Sequence, residues 1–193
     1  MIKVYAMNVA DIDIADEKLL KKMSAKRLEK LAKMRVELKK KQAIGAELLL
    51  NYALGNKSPV EWQTDENGKL FIPNCSTHVN LSHSGNYAVC AVADTVVGID
   101  IQKTDKANFA LAKRFFTSDE CDYINSAQNS NDAFYDIWVK KESFIKAVGK
   151  GLAIPLSSFA TLNSIVEYEG LQYTFKKYSV SDSSYKICVC TQF

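Results

Sequence analysis

Stretches with an apolar period of two residues and stretches with a period near 3.6 follow one another along this chain, and their order predicts a mixed α/β (α+β) fold. Residues 2 to 9 read as a strand. Residues 17 to 54 read as mostly helical, with Gly55 and then Pro59 marking the end. Asn67-Gly68 marks a turn, after which short apolar runs at 70–72, 78–81, 87–93 and 96–101 read as strands of one sheet. Helical patterns follow at about 107–114, 118–127 and 131–148, then strand-like runs at 159–162, 171–179 and 185–191. The halves share a helices-then-strands order. The expected division gives an N-terminal lobe of residues 1–99 and a C-terminal lobe of residues 100–193. The run Tyr87 to Val92 (YAVCAV) alternates like Tyr185 to Cys190 (YKICVC), a hint of two similar lobes that strand composition alone also produces.

The helix predicted over 131–148 opens at Asn131-Asp132 and ends at Gly149, where a left-handed residue is easiest. At about 100° per residue, Phe134, Ile137, Trp138, Phe144, Ile145 and Val148 share one arc, and Lys141 lies in its middle. A lysine there is withdrawn from water unless an anion meets it or its charge reaches the edge of the face; both readings stand. Glu142 and Lys146 lie one turn apart at the border of the same face, which suits a surface ion pair or a metal-and-phosphate site.

Two further segments carry chemistry. In 97–102 (VGIDIQ) the alternation sets Asp100 and Gln102 on one face of a strand, where an aspartate needs a partner: a hard cation such as magnesium, or a turn. Residues 80–85 (NLSHSG) read as a polar loop whose hydroxyls, imidazole and amides suit a phosphate, or as a plain structural turn. A serine hydrolase is excluded, because there is no G-x-S-x-G and the only other histidine is five residues away.

Composition narrows the class. At 193 residues, 47% hydrophobic and 24% charged, the chain can bury the core of one large or two small domains. No run approaches membrane-helix length, and the start Met1-Ile2-Lys3-Val4-Tyr5 lacks the layout of a secretion signal, so a cytoplasmic protein without a membrane role is expected. Five cysteines without a C-x-x-C pair read as reduced thiols, and two histidines give little support to zinc. The net charge of +3 is uneven: residues 18 to 41 hold eleven Lys or Arg against Glu29 and Glu37, so this arm carries +9 and the remainder −6. A cationic arm is a solvated helix face or a seat for a polyanion. Nucleic acid is not expected, since the arm lacks interleaved aromatics and any docking motif.

Taken in order, residues 81–85 (LSHSG), 98–101 (GIDI) and 138–146 (WVKKESFIK) resemble the signature of the surfactin-synthetase-activating type of 4′-phosphopantetheinyl transferase. The resemblance extends to 113–116 (KRFF), to 149–152 (GKGL) and to Pro155-Leu156. The length is similar to that of the family's two-lobed branch, a pseudodimer with its ligand cleft between the lobes and expected to be a monomer. The resemblance implies transfer of the 4′-phosphopantetheine arm of coenzyme A to a serine of an acyl or peptidyl carrier protein. Asp100 and Glu142 would hold magnesium, with manganese as the alternative, and Gln102 stands where surfactin-activating members have glutamate. Ser82, His83, Lys141 and Lys146 would contact phosphate, joined by Lys69 and by Lys41, Arg27 and Lys30 of the arm. Glu142 would take the serine proton, and Asp100 and Lys146 would complete the catalytic set. The carrier would dock near Phe109, Lys113 and Phe116. A protein that binds coenzyme A or a carrier without transfer is the competing reading, motivated by Gln102.

Overall fold

A computed structural model describes residues 1–55 and 59–193. The first half contains β1 (Ile2–Asn8), α1 (Glu17–Leu20), α2 (Ala25–Lys33), α3 (Glu37–Ala53), β2 (Gln63–Thr64), β3 (Leu70–Phe71), β4 (His78–Ser84) and β5 (Tyr87–Ala93). The second contains β6 (Val97–Lys103), α4 (Phe109–Phe115), α5 (Ser118–Ser126), α6 (Ser130–Val148), two 3-10 turns, β7 (Ile165–Tyr168), β8 (Leu171–Tyr178) and β9 (Tyr185–Gln192). The helical stretch expected over 17–54 is three helices. Asp16 and Ser24 each accept an amide hydrogen bond as N-caps, and extended backbone at Met34 and Val36 separates α2 from α3.

Two larger antiparallel sheets form, ordered β1-β5-β4 and β6-β9-β8-β7, beside a two-stranded antiparallel β2-β3 pair. In each, the first strand of its half pairs with the last. Residues 2–8 face 93–87, and residues 97–103 face 191–185, seven pairs in each ladder. The echoing runs at 87–92 and 185–190 thus occupy equivalent strands, and the rings of Tyr87 and Tyr185 meet edge to face at 4.9 Å. The sheets divide at residues 94–96, so β6 spans the expected lobe boundary at residue 100.

The sheets stack face to face between α3 and α6. On β5, Ala88, Cys90 and Val92 face α3, while Tyr87, Val89, Ala91 and Ala93 face the second sheet. Both faces are buried, which explains an unbroken apolar run. Val97, Ile99 and Ile101 of β6 and Tyr185, Ile187 and Val189 of β9 fill the layer between sheets. The remaining face of β6, Gly98, Asp100 and Gln102, is left for α6. Burial pushes the thiols of Cys90 and Cys188 up to about 12 and about 11, so neither is reactive at neutral pH.

Two expectations change. Residues 159–162 are not a strand, because side chains use their main-chain groups: Lys141 donates to the Phe159 carbonyl, Lys140 donates to the Thr161 carbonyl, and the Thr161 amide donates to Glu120. The last sheet begins at Ile165 instead. The segment read as a loop at 80–85 is mostly strand β4, with the turn at Gly85-Asn86. Its residues Asn80, Ser82 and Ser84 face the neighbouring sheet edge. Asn80 Oδ1 accepts from the Ile99 amide at 2.9 Å, and Ser84 Oγ accepts from the Lys103 amide at 3.0 Å. Side chains thereby join β4 to β6 where no main-chain ladder forms.

Candidate active site

Gly98, Asp100 and Gln102 meet the α6 face that carries Ser143, Ala147, Glu142 and Lys146. At Gly98 a Cβ would collide with the Ser143 carbonyl oxygen and the Ala147 amide nitrogen, so glycine lets helix and strand approach closely. That approach places α6 over the aspartate. Asp100 is 2% exposed, and its Oδ1 accepts from Lys146 Nζ at 2.6 Å and from Ser82 Oγ at 2.8 Å. Lys146 Nζ also donates to Ser82 Oγ at 2.8 Å. Gln102 Nε2 donates to Asp100 Oδ2 at 3.1 Å, while Ser84 Oγ donates to Gln102 Oε1 at 3.4 Å.

Glu142 shares this corner. Burial holds its carboxyl above the ordinary carboxylate range, the charge of Asp100 adds to the effect, and Lys146 opposes it. Two carboxylates on one partly dry corner, one of them paired with Lys146, form an oxygen donor set that fits a hard divalent cation. Among the described residues no three His, Cys, Asp or Glu side chains gather as metal ligands, so any third protein donor here is an amide or a hydroxyl.

These residues form the foot of a cavity of about 540 Å³. The other walls carry Arg27 and Lys30 of α2, Lys39, Ala43 and Ala46 of α3, Trp62, and Ser82 and His83 of β4. The imidazole of His83 is held below its usual pKa by burial first, then by the cations Lys39, Lys146 and Arg27. Lys30 is likewise lowered, by burial and then by Arg27 and Lys26. Carboxylates, several cations and an imidazole of lowered pKa on one cavity suit a polyanion bridged to a metal.

Seven of the expected site residues besides Glu142 therefore gather on this cavity: Arg27, Lys30, Ser82, His83, Asp100, Gln102 and Lys146. Three lie apart. Lys141 is fully buried, and its Nζ is consumed by Glu120 Oε2 at 2.8 Å and the carbonyls of Leu156 and Phe159 at 2.7 and 2.6 Å. The anion its apolar surroundings demand is a protein carboxylate, not a phosphate. Lys69 donates to the Ala147 carbonyl near the end of α6, beside an adjoining cavity. Lys41 donates to the Ala10 carbonyl at 2.8 Å and pairs with Glu37 at 3.1 Å, on a different side of α3. Lys39, rather than Lys41, lines the cavity. Helical spacing contained the signal, since residues 39, 43 and 46 form one stripe and all line the cavity. Trp62 carried no motif and was missed.

A family model described as the 4′-phosphopantetheinyl transferase superfamily matches residues 96–190, from β6 into β9. The second half of the chain is thus similar to this superfamily. It is 43% identical over 108 residues, 54% of this chain and 48% of the other, to 4′-phosphopantetheinyl transferase Sfp of Bacillus subtilis (strain 168). A second 4′-phosphopantetheinyl transferase of Bacillus subtilis is 38% identical over 140 residues, 68% of this chain and 62% of the other. The L-aminoadipate-semialdehyde dehydrogenase-phosphopantetheinyl transferase of Xenopus laevis is 36% identical over 138 residues, 60% of this chain and 46% of the other. The chain thus spans roughly half to five-eighths of the length of these curated relatives. No helix among the described residues is long and apolar enough to cross a membrane.

Proposed function

We propose that this chain transfers the 4′-phosphopantetheine group of coenzyme A to a serine hydroxyl of an acyl or peptidyl carrier protein. The observation that carries the reading is the juxtaposition, in one cavity, of the Asp100–Glu142–Lys146 corner with Arg27, Lys30, Lys39 and His83. The two larger sheets are read as the cores of two lobes, with the boundary drawn at residues 94–96 so that β6 stays whole, and coenzyme A in the cleft between them. The protein is read as a cytoplasmic monomer.

Asp100 and Glu142 would hold magnesium, or manganese, which supplies charge stabilisation at the pyrophosphate. The donor chemistry fits, and a half-turn of the Gln102 amide would present its Oε1 as a neutral third donor. Lys146 and Ser82, already joined to Asp100, would bind pyrophosphate oxygens, and Arg27, Lys30, Lys39 and His83 would hold the remaining phosphate oxygens. In the reaction the carrier serine oxygen bonds to the β-phosphorus as the bond to the departing adenosine 3′,5′-bisphosphate breaks. The serine proton passes to Glu142, directly or through water. Lys146 meets charge that builds on the leaving oxygen.

The carrier would dock beside α4, on exposed Phe109 and Lys113. Phe116 is removed from that expectation, because it is buried against Phe134 and Trp138. Incubating the protein with an apo carrier, coenzyme A and magnesium tests the proposal. The expected result is the mass of phosphopantetheine added to the carrier serine; absence of that mass over a panel of acyl and peptidyl carriers overturns it.

A further inference from the structure

Glu47 lies on the inner side of α3, is fully buried, and carries no role in the reading above. A buried carboxylate is costly unless its oxygens are met by donors. Here three donors converge on it, two from the start of α2 and one from Trp62. Oε1 accepts from the Ser24 amide at 2.5 Å, and Oε2 accepts from Arg27 Nε at 2.8 Å and from Trp62 Nε1 at 3.1 Å. Ser24 is the N-cap of α2 and accepts from the Arg27 amide, so the same carboxylate fixes the start of that helix. Three cations surround the indole it anchors: Lys26 Nζ at 4.4 Å, Lys30 Nζ at 4.8 Å and Arg27 Cζ at 5.2 Å from the ring centroid. None of these cations except Arg27, through its Nε, has a carboxylate partner among the described residues. The terminal nitrogens of Arg27 make no hydrogen bond among the described residues, and Arg27, Lys30 and Trp62 all line the cavity.

We propose that Glu47 is a positioning residue, which by holding Arg27 Nε and Trp62 Nε1 presents the remaining Arg27 nitrogens, with Lys26 and Lys30, as a preorganised seat for a phosphate group. The proposal rests on the reading of the cavity as a polyanion site, but not on transfer chemistry. Without the carboxylate, like charges around Trp62 lose their organiser and spread apart. The residue never touches the ligand, so its removal weakens binding and leaves the rate at saturation alone.

Titration calorimetry with inorganic tripolyphosphate and with coenzyme A, on the unmodified chain and on Glu47→Gln, Glu47→Asp and Trp62→Phe, tests this beside carrier-transfer kinetics. Glu47→Gln is expected to weaken both ligands about ten-fold, the scale of one charge-assisted hydrogen bond. KM for coenzyme A rises by the same factor, and kcat stays within about two-fold. Glu47→Asp recovers part of the loss, and Trp62→Phe, which keeps a ring but not the N–H, weakens binding about three-fold. Lys33→Gln on the exposed side of α2 leaves both affinities unchanged. Should Glu47→Gln not fold, Trp62→Phe and Glu47→Asp carry the test alone. A lowered Tm with unchanged affinities in the folded variants overturns the proposal, as does failure of the unmodified chain to bind either ligand. If the unmodified chain binds tripolyphosphate and the variants weaken it, the positioning role holds even where no carrier is modified, and only the transferase reading falls.

Discussion

Lys141 and Glu120 show how far a single residue can be read from its surroundings in sequence. The place of Lys141 in the apolar arc of α6 calls for an anion or for a charge that reaches the edge of the face, and an anion is present, but Glu120 lies on α5 and its position opposite Lys141 is set only by tertiary packing. Both side chains are fully buried, and Glu120 also closes the capping box of α5 and accepts from Thr161 Oγ1 at 3.0 Å. Glu120→Ala strands a buried ammonium and is expected to cost about 3–5 kcal/mol of unfolding free energy in a denaturant titration. A loss under about 1 kcal/mol would mean that the carbonyls of Leu156 and Phe159 suffice. His83 poses the opposite case, a base on which the charges that act are cations and which pairs with no carboxylate among the described residues. Its folded-state pKa is depressed below 6.5, so between that value and 6.5 the unfolded chain binds more protons than the folded one. The stability it contributes is complete above the unfolded pKa and is lost as pH falls through the folded pKa. His83→Gln should therefore flatten the fall in Tm between pH 7 and pH 5. A phosphate ligand also raises this pKa, so coenzyme A binding below neutral pH should take up protons, read from binding heats in buffers of different ionisation enthalpy. A proton uptake that is the same in His83→Gln as in the unmodified chain would remove His83 from the ligand.

At the scale of elements, the site depends on how closely β6 approaches α6. Gly98 has no room for a methyl group because the neighbours are helix backbone, not flexible side-chain ends. Gly98→Ala is expected to push α6 outward at a cost of about 1–3 kcal/mol, and to lower transfer activity more than stability because Glu142 and Lys146 move away from Asp100. Denaturant midpoints and transfer kinetics on one preparation check this; full activity with full stability would show that the helix tilts without disturbing the site. Most of these elements were legible in the chain. The ladders at β5, β6, β8 and β9 follow from alternation and continuous apolar runs, and α6 from its period and from Gly149, which is left-handed at φ 81°. Residues 159–162 were not legible, since the apolar pattern there is real but the main chain is claimed by Lys140, Lys141 and Glu120 from distant helices. The same limit hid Lys39 behind Lys41. A charge run announces an arm, and only the helical stripe it shares with Ala43 and Ala46 says which lysine turns inward.

For the molecule as a whole, the question is what makes two sheets with matching registers behave as one body. Two connections compete. One is the apolar layer made by Tyr87, Val89 and Ala91 against Ile99, Ile101, Ile187 and Val189. The other is the polar seam in which Asn80 and Ser84 satisfy β6 amides. Removing Asn80 as Asn80→Ala leaves the buried Ile99 amide without a partner, worth about 1–3 kcal/mol. The apolar layer involves several fully buried side chains at about 1.5–3 kcal/mol each, so it dominates the coupling. Asn80→Ala should accordingly lower Tm by roughly 2–12 °C for a chain of this size while keeping a single transition with equal calorimetric and van't Hoff enthalpies. A ligand that spans the cleft adds to the same balance, since saturation at a hundred times Kd contributes about 2.7 kcal/mol. Coenzyme A with magnesium should then offset much of the loss in Asn80→Ala. Two resolved transitions in the variant, merging when ligand is added, would instead assign the joining of the halves to the seam and the cleft rather than to the apolar layer.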